Sequence, residues 1–342
     1  MSVHLSRCME LLTYLHDSEL VARFQRRCGL FLVESAHLKP ERPRGQLVRD
    51  RLDHQDRNSN YKYKENGYAS RLVMYVGQVM KDVLKLPRPF SPPVVKLETR
   101  VDAEYGLPST HAMAATAISF TLLLSATSRI QFQFGVGLTI AVTLATLVSL
   151  SRLYTGMHSV LDVICGILIS AVLLGGTYPY WETMDHFQLN NPISPIVVLV
   201  LFYFLCYIYP ELDHYSTTRG DTTTILGTCA GASAGYWVNQ QLGQTFEPEG
   251  MLPVPLPTLT ASALALGTGR FLVGAVILLA TRQIVKTVSL HMLYSWYKVP
   301  KSDNNARRRK EIEVPSKFAT YTSVGLVNSI LANRIFLFLG LL

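Results

Sequence analysis

The sequence predicts an all-α fold, a polytopic transmembrane helical bundle, on three observations. Of its 342 residues, 49% are hydrophobic and only 16% charged, which is too apolar for an ordinary soluble globule of this length. The apolar residues are gathered into seven or eight segments near the roughly 20 residues needed to cross a bilayer. The charged residues sit at the edges of those segments and not along them, which argues against a transporter with a central polar path.

In chain order the candidate segments are 71–81, 111–126, 134–150, 160–178, 193–209, 223–238, 271–288 and 324–342. The first holds only about a dozen residues before Lys81, so it crosses only by tilting or by thinning the bilayer. Ahead of it, residues 1–66 form a polar, basic lead-in. Within this, Leu12, Leu15, Leu20, Phe24 and Cys28 recur at helical spacing. That pattern suits either an interfacial helix on the membrane over 9–28 or a short solvated helix followed by a disordered basic stretch through Lys64. Three parts follow: the lead-in 1–66, a core 67–180 that holds every motif described below, and further membrane helices over 181–342.

Cys8, Cys28, Cys165, Cys206 and Cys229 show no paired spacing, so no disulfide framework or zinc cluster is expected, and three of them fall in apolar segments as packing residues. There is no secretory leader pattern and no internal repeat. Long loops are expected over 239–250 and 297–317. The second contains the run Arg307-Arg308-Arg309-Lys310, read as an anchor to anionic lipid in preference to nucleic acid. The net charge of +8 fits anionic headgroups or substrates at the interface and does not imply nucleic acid.

The chemistry is concentrated in three short motifs. Lys81 ends the first apolar segment and Arg88 follows between Pro87 and Pro89, which stop the helix and stiffen the turn. A lysine point charge and a planar arginine fork suit phosphate oxygens, although cations at a helix end also snorkel for no other purpose. Pro108-Ser109-Thr110-His111 precedes an apolar run, so Ser109 or Thr110 can cap that helix. Its N-terminus then faces an anion, with His111 on the first turn able to deliver a proton. Ser151-Arg152 leads to His158 and Asp162, four residues apart on one helix face. There the carboxylate can hold one imidazole nitrogen and leave the other free to attack.

Two histidines and an aspartate also suit zinc. Lys81, Arg88 and Arg152 would crowd that pocket with positive charge, so no metal and no other cofactor is expected. Ser109 and Ser151 lie outside any Gly-x-Ser-x-Gly elbow, which disfavours a serine hydrolase.

Taken together, Lys-x6-Arg-Pro, Pro-Ser-x-His and Ser-Arg-x5-His-x3-Asp resemble the phosphatidic acid phosphatase type 2 (PAP2) superfamily. The wording around them, including Tyr75-Val76-Gly77-Gln78, Leu86-Pro87-Arg88-Pro89 and Glu104-Tyr105-Gly106-Leu107-Pro108-Ser109-Thr110-His111, is similar to the sphingosine-1-phosphate phosphatases over roughly 72–340.

The resemblance implies a PAP2-like core and a metal-independent lipid phosphate phosphatase. His158 would be the nucleophile, Asp162 its orienting partner and His111 the proton donor, with Lys81, Arg88, Ser109 and Arg152 on the phosphate. It also implies an endoplasmic reticulum membrane protein with a luminal site, acting on a sphingoid base phosphate among membrane lipids. Phosphatidate or lysophosphatidate turnover, and a shortened form that binds lipid phosphate without catalysis, are the alternatives. Members of the family usually carry a further membrane helix before the first motif, which the chain lacks between Lys64 and Arg71. If the motif loops share one face, simple alternation puts the 307–310 run on that face too.

Overall fold

A computed structural model describes residues 2–30, 67–98, 104–244, 253–256, 260–300, 303 and 305–341. Among these the regular secondary structure is helical apart from one short parallel bridge, Ile130–Gln131 against Val254–Pro255. Residues 31–66, which hold the basic stretch through Lys64 that one of the two readings has as disordered, lie outside the described residues, whereas residues 67–71 are described.

The lead-in forms two helices where one was expected, α1 (Ser2–His16) and α2 (Ser18–Arg27). They break at Asp17, whose side chain accepts from the Glu19 N–H as a cap. α2 presents Val21, Ala22 and Gln25 inward against Val94, so this helix packs on protein. Leu12, expected on an apolar face, is exposed.

The core is built by α3 (Gly67–Leu84), α4 (Thr110–Thr127), α5 (Phe134–Tyr154) and α6 (Val160–Thr177). α3 is longer at both ends than the expected segment. It stops where Lys85 takes the left-handed conformation, φ 50°, that helix ends usually give to glycine. Ala69, Val73, Met113, Ala117, Leu174 and Trp181 form the buried cluster joining α3, α4 and α6 to α7 (Trp181–Asn190). A second cluster, Ala112, Leu153 and Val163, holds α4, α5 and α6 together beneath the motif loops.

Beyond α7 come α8 (Ser194–Tyr207), α9 (Thr218–Gln241), α10 (Ala261–Trp296), α11 (Lys310–Leu326) and α12 (Asn333–Phe338), the last two joined by a π-helical turn, Val327–Ala332. α9 is the centre of this half. It buries Gly227, Gly231 and Gly235 against α11 and the π turn, so closely that a Cβ on Gly231 would meet the Thr322 carbonyl oxygen. Small residues let two helix backbones approach in this way inside a membrane.

Two expectations are corrected here. Among the described residues, only α4, α5, the run Val160–Asn190 and α10 are both long and apolar enough to cross a membrane, with α8 apolar but short. α3 carries Arg71, Lys81 and Asp82, and α9 is rich in threonine and glycine, because both bury polar or small faces against other helices. The loop expected over 297–317 ends at Arg309, since α11 begins at Lys310, well before the segment expected from residue 324.

The basic run also has protein partners. Lys310 pairs with Glu211 at 2.6 Å and lies over the Tyr207 ring, and Arg308 lies over the Tyr215 ring. The run stands at the same end as the motif loops. Arg219 bonds the Arg308 carbonyl, while Thr217, two residues away, bonds Glu104.

Candidate active site

Each motif is held by a local device that follows from its residues. Ser109 is the N-cap of α4, its hydroxyl facing the Ala112 N–H at 3.5 Å. Ser159 caps α6 in a reciprocal box: its hydroxyl accepts from the Asp162 N–H at 3.2 Å, while the Asp162 carboxylate accepts from the Ser159 N–H at 2.7 Å. The Ser-x-x-Asp spacing would have revealed this box in the sequence. The turn between α5 and α6 passes through Gly156 at φ 70°, where a side chain would strike the Val95 carbonyl.

Asp162 is thereby fixed, fully buried, with Oδ2 3.5 Å from His158 Nδ1. That separation is longer than a well-formed hydrogen bond because Oδ2 is shared with the Ser159 N–H. The imidazole is oriented all the same, with Nδ1 toward the carboxylate and Nε2 away from it. Burial is the main force on this histidine and lowers its pKa. Asp162 opposes the shift, and Arg88 and Lys81 add to it, leaving the value at about 4. His158 is therefore neutral near pH 7, the form that can act as a nucleophile.

Arg88 crosses to the same turn. Its guanidinium donates to the Met157 carbonyl at 3.1 Å and, through Nε, to the Glu104 carbonyl at 2.9 Å. Lys81, 2% exposed, and Arg88 converge on one oxygen, Glu104 Oε2, at 3.0 and 3.2 Å. The other oxygen, Oε1, accepts from the Thr217 hydroxyl at 2.7 Å. Burial alone would raise the Glu104 carboxyl, but Lys81, the Thr217 hydrogen bond and Arg88 together hold it below the ordinary carboxylate range.

The expected cation pair thus exists, with a carboxylate between its members that the sequence reading did not single out. Glu104 lies in a loop, where a lone acidic residue reads as solvated. The signal would have been its place seven residues before His111.

The second and third motifs meet through backbone. Ser109 N–H donates to the Asp162 carbonyl at 3.0 Å, which the small Gly166 permits, since a Cβ there would lie 2.9 Å from the Ser109 carbonyl oxygen. Gly106 packs against the Asp162 carboxylate in the same way. His111, on the first turn of α4, keeps part of its side chain accessible at the surface while protein packs closely around the rest, with Arg152, His158 and Lys81 among its neighbours. Arg152 is half-buried, with Nε 3.2 Å from the Ser151 hydroxyl. Lys81, Arg88, Ser109, His111, Arg152, His158 and Asp162 therefore gather at one end of the bundle.

Two supports come from unexpected places. Gln25 of α2 donates to the carbonyls of Val95 and Tyr154 and accepts from the Val95 N–H, tying the lead-in to the loops of the first and third motifs. Asp82, next to Lys81, accepts from the Tyr209 hydroxyl at 2.8 Å and from the Thr218 hydroxyl. These ties fix α3 to α9 behind the cations.

An apolar multi-pass bundle whose helix ends bring two histidines, an aspartate and a group of cations together defines a membrane protein built for phosphoryl chemistry. The comparisons with known proteins agree with that class. The PAP2 superfamily model matches residues 66–184. The chain is 47% identical to sphingosine-1-phosphate phosphatase 2 of Mus musculus over 365 residues, covering 97% of this chain and 99% of that protein, and 46% identical to the Homo sapiens protein of the same name over 97% and 99%. Lipid phosphate phosphatase delta of Arabidopsis thaliana is 29% identical over 63% of this chain and 52% of its own length. The chain belongs to the sphingosine-1-phosphate phosphatase family of the PAP2 superfamily. No solved structure matches it.

Proposed function

We propose that the protein is a lipid phosphate phosphohydrolase that converts sphingosine 1-phosphate and related sphingoid base phosphates to the free base and phosphate. The observation that carries this reading is the buried, neutral His158 held 3.5 Å from Asp162, beside an Arg88 that reaches the neighbouring Met157 carbonyl.

In the reaction, Nε2 of His158 attacks phosphorus and the ester P–O bond breaks. His111 gives its proton to the departing lipid alkoxide. Lys81, Arg88 and Arg152 carry the negative charge of the transferring group, with Ser109 at the α4 N-terminus beside them. His111, now neutral, takes a proton from water. The resulting hydroxide cleaves the P–N bond, releasing phosphate and restoring His158. These side chains supply the electrostatic stabilisation that a divalent cation supplies elsewhere, so no metal is invoked.

The lipid tail lies among membrane helices, and the reading places the protein in the endoplasmic reticulum membrane with the site facing the lumen. The test is turnover of sphingosine 1-phosphate by purified protein with a chelator present. Phosphate release that survives chelation and disappears in His158→Ala is expected. Loss of activity on chelation, or full activity in the variant, would refute the mechanism.

A further inference from the structure

The cation pair of the site is not open. Lys81 and Arg88 both point at Glu104 Oε2, and Thr217 holds Oε1. A phosphate group drawn to those two cations therefore arrives beside an ionised carboxylate. For a bare phosphate monoester that neighbour is repulsive, and it weakens binding of the dianion the cations attract. The arrangement becomes favourable only if the ligand brings its own positive charge next to the phosphate. A sphingoid base phosphate does this, with an ammonium on the carbon adjacent to the phosphate-bearing one, whereas a glycerol-based lipid phosphate has no cation there.

We propose that Glu104 is the residue that selects the sphingoid headgroup. As the phosphate takes over Lys81 and Arg88, the Glu104 carboxylate, steadied by Thr217, turns to the substrate ammonium. This deepens the proposed function and rests on it. Glu104 then has two partners in succession, Lys81 and Arg88 before the substrate binds and the ammonium once it has bound. The side chain is 13% exposed, which leaves it reachable from the site. Thr217 opens α9, so selectivity draws on the half of the chain beyond the three motifs.

A simpler role for Glu104, as an internal counterion for Lys81 and Arg88, makes a different prediction: a neutral amide at 104 would change all phosphate substrates alike. The experiment compares kcat/KM of the full-length protein on sphingosine 1-phosphate and on its 2-deamino analogue, equal in chain and phosphate but lacking the ammonium. The native protein is expected to favour the amine by about ten-fold or more, the scale of one charge-assisted hydrogen bond. Glu104→Gln is expected to bring that ratio to within about two-fold of unity, and Thr217→Val to lower it part of the way.

A ratio unmoved in both variants, or equal losses on both substrates, overturns the proposal. Should Glu104→Gln not fold, Thr217→Val decides it by the same ratio. A native protein that hydrolyses both substrates equally refutes this inference alone, while one that hydrolyses neither refutes the phosphatase reading and this inference with it.

Discussion

Ser109 donates its backbone N–H to the carbonyl of Asp162 at 3.0 Å, so the helix bearing His111 and the helix that follows His158 are joined at their first turns. The first turns that carry His111 and follow His158, the proposed proton donor and nucleophile, thus meet at one contact, which depends on the absence of a side chain at Gly166. Gly166→Val should force α6 away from α4 and lower kcat by about ten-fold or more, since small misplacements of reacting groups are costly. Circular dichroism should show the helices retained. Unchanged kcat would mean that the two motifs are aligned by something other than this crossing.

Asp162→Asn keeps the side-chain shape but removes the charge that faces His158 Nδ1. By analogy with the aspartate of a serine protease triad, kcat should fall by about 100-fold or more, with little change in KM. Burst-phase measurements of leaving-group release would place the loss in formation of the phosphohistidine.

The low pKa of His158 has a pH signature. In the unfolded chain an ordinary histidine takes up a proton as pH falls through 6.5, but in the fold burial withholds that proton until about pH 4. The unfolded state binds more protons across this window, so stability is lost as pH falls from 6.5 to 4. The melting temperature of the native protein in detergent should therefore fall relative to that of His158→Gln over that range. Parallel curves for the two proteins would place His158 in a more solvated setting.

Gln25 satisfies three backbone groups from the loops of two motifs and is 1% exposed. Gln25→Leu keeps the bulk but leaves those groups without their partner, which should cost about 1–3 kcal/mol. Thermal denaturation should show the loss, and activity should fall at elevated temperature first.

Tyr209→Phe removes the hydroxyl that reaches Asp82 and the Gln78 carbonyl, both buried. A destabilisation of about 1–3 kcal/mol is expected because buried Asp82 and the Gln78 carbonyl each lose a donor. A parallel decrease in kcat would show that this tie also holds Lys81 in position.

Much of the site was legible because its chemistry is local. His158 and Asp162 sit four residues apart, Ser109 and His111 stand at a helix start, and Pro87 and Pro89 bracket Arg88, so spacing alone carries their relationship. Membrane character was legible for a similar reason, since α4, α5 and α6 are apolar on most faces. α3, α9 and α11 were less so. Their polar and small residues are satisfied by neighbouring helices, and a hydropathy profile registers composition without the partner.

Composition and spacing alone carry the all-helical membrane bundle and single out Lys81, Arg88, Ser109, His111, Arg152, His158 and Asp162 as the groups proposed to handle phosphate. Helix packing places Glu104 between Lys81 and Arg88, brings Thr217 from 113 residues away to hold it, and sets Gln25 against the loops from the far end of the chain. The physical reason is that such contacts join residues distant in sequence. Their geometry depends on how helices cross, which for α4 and α6 is set by the room left at Gly166.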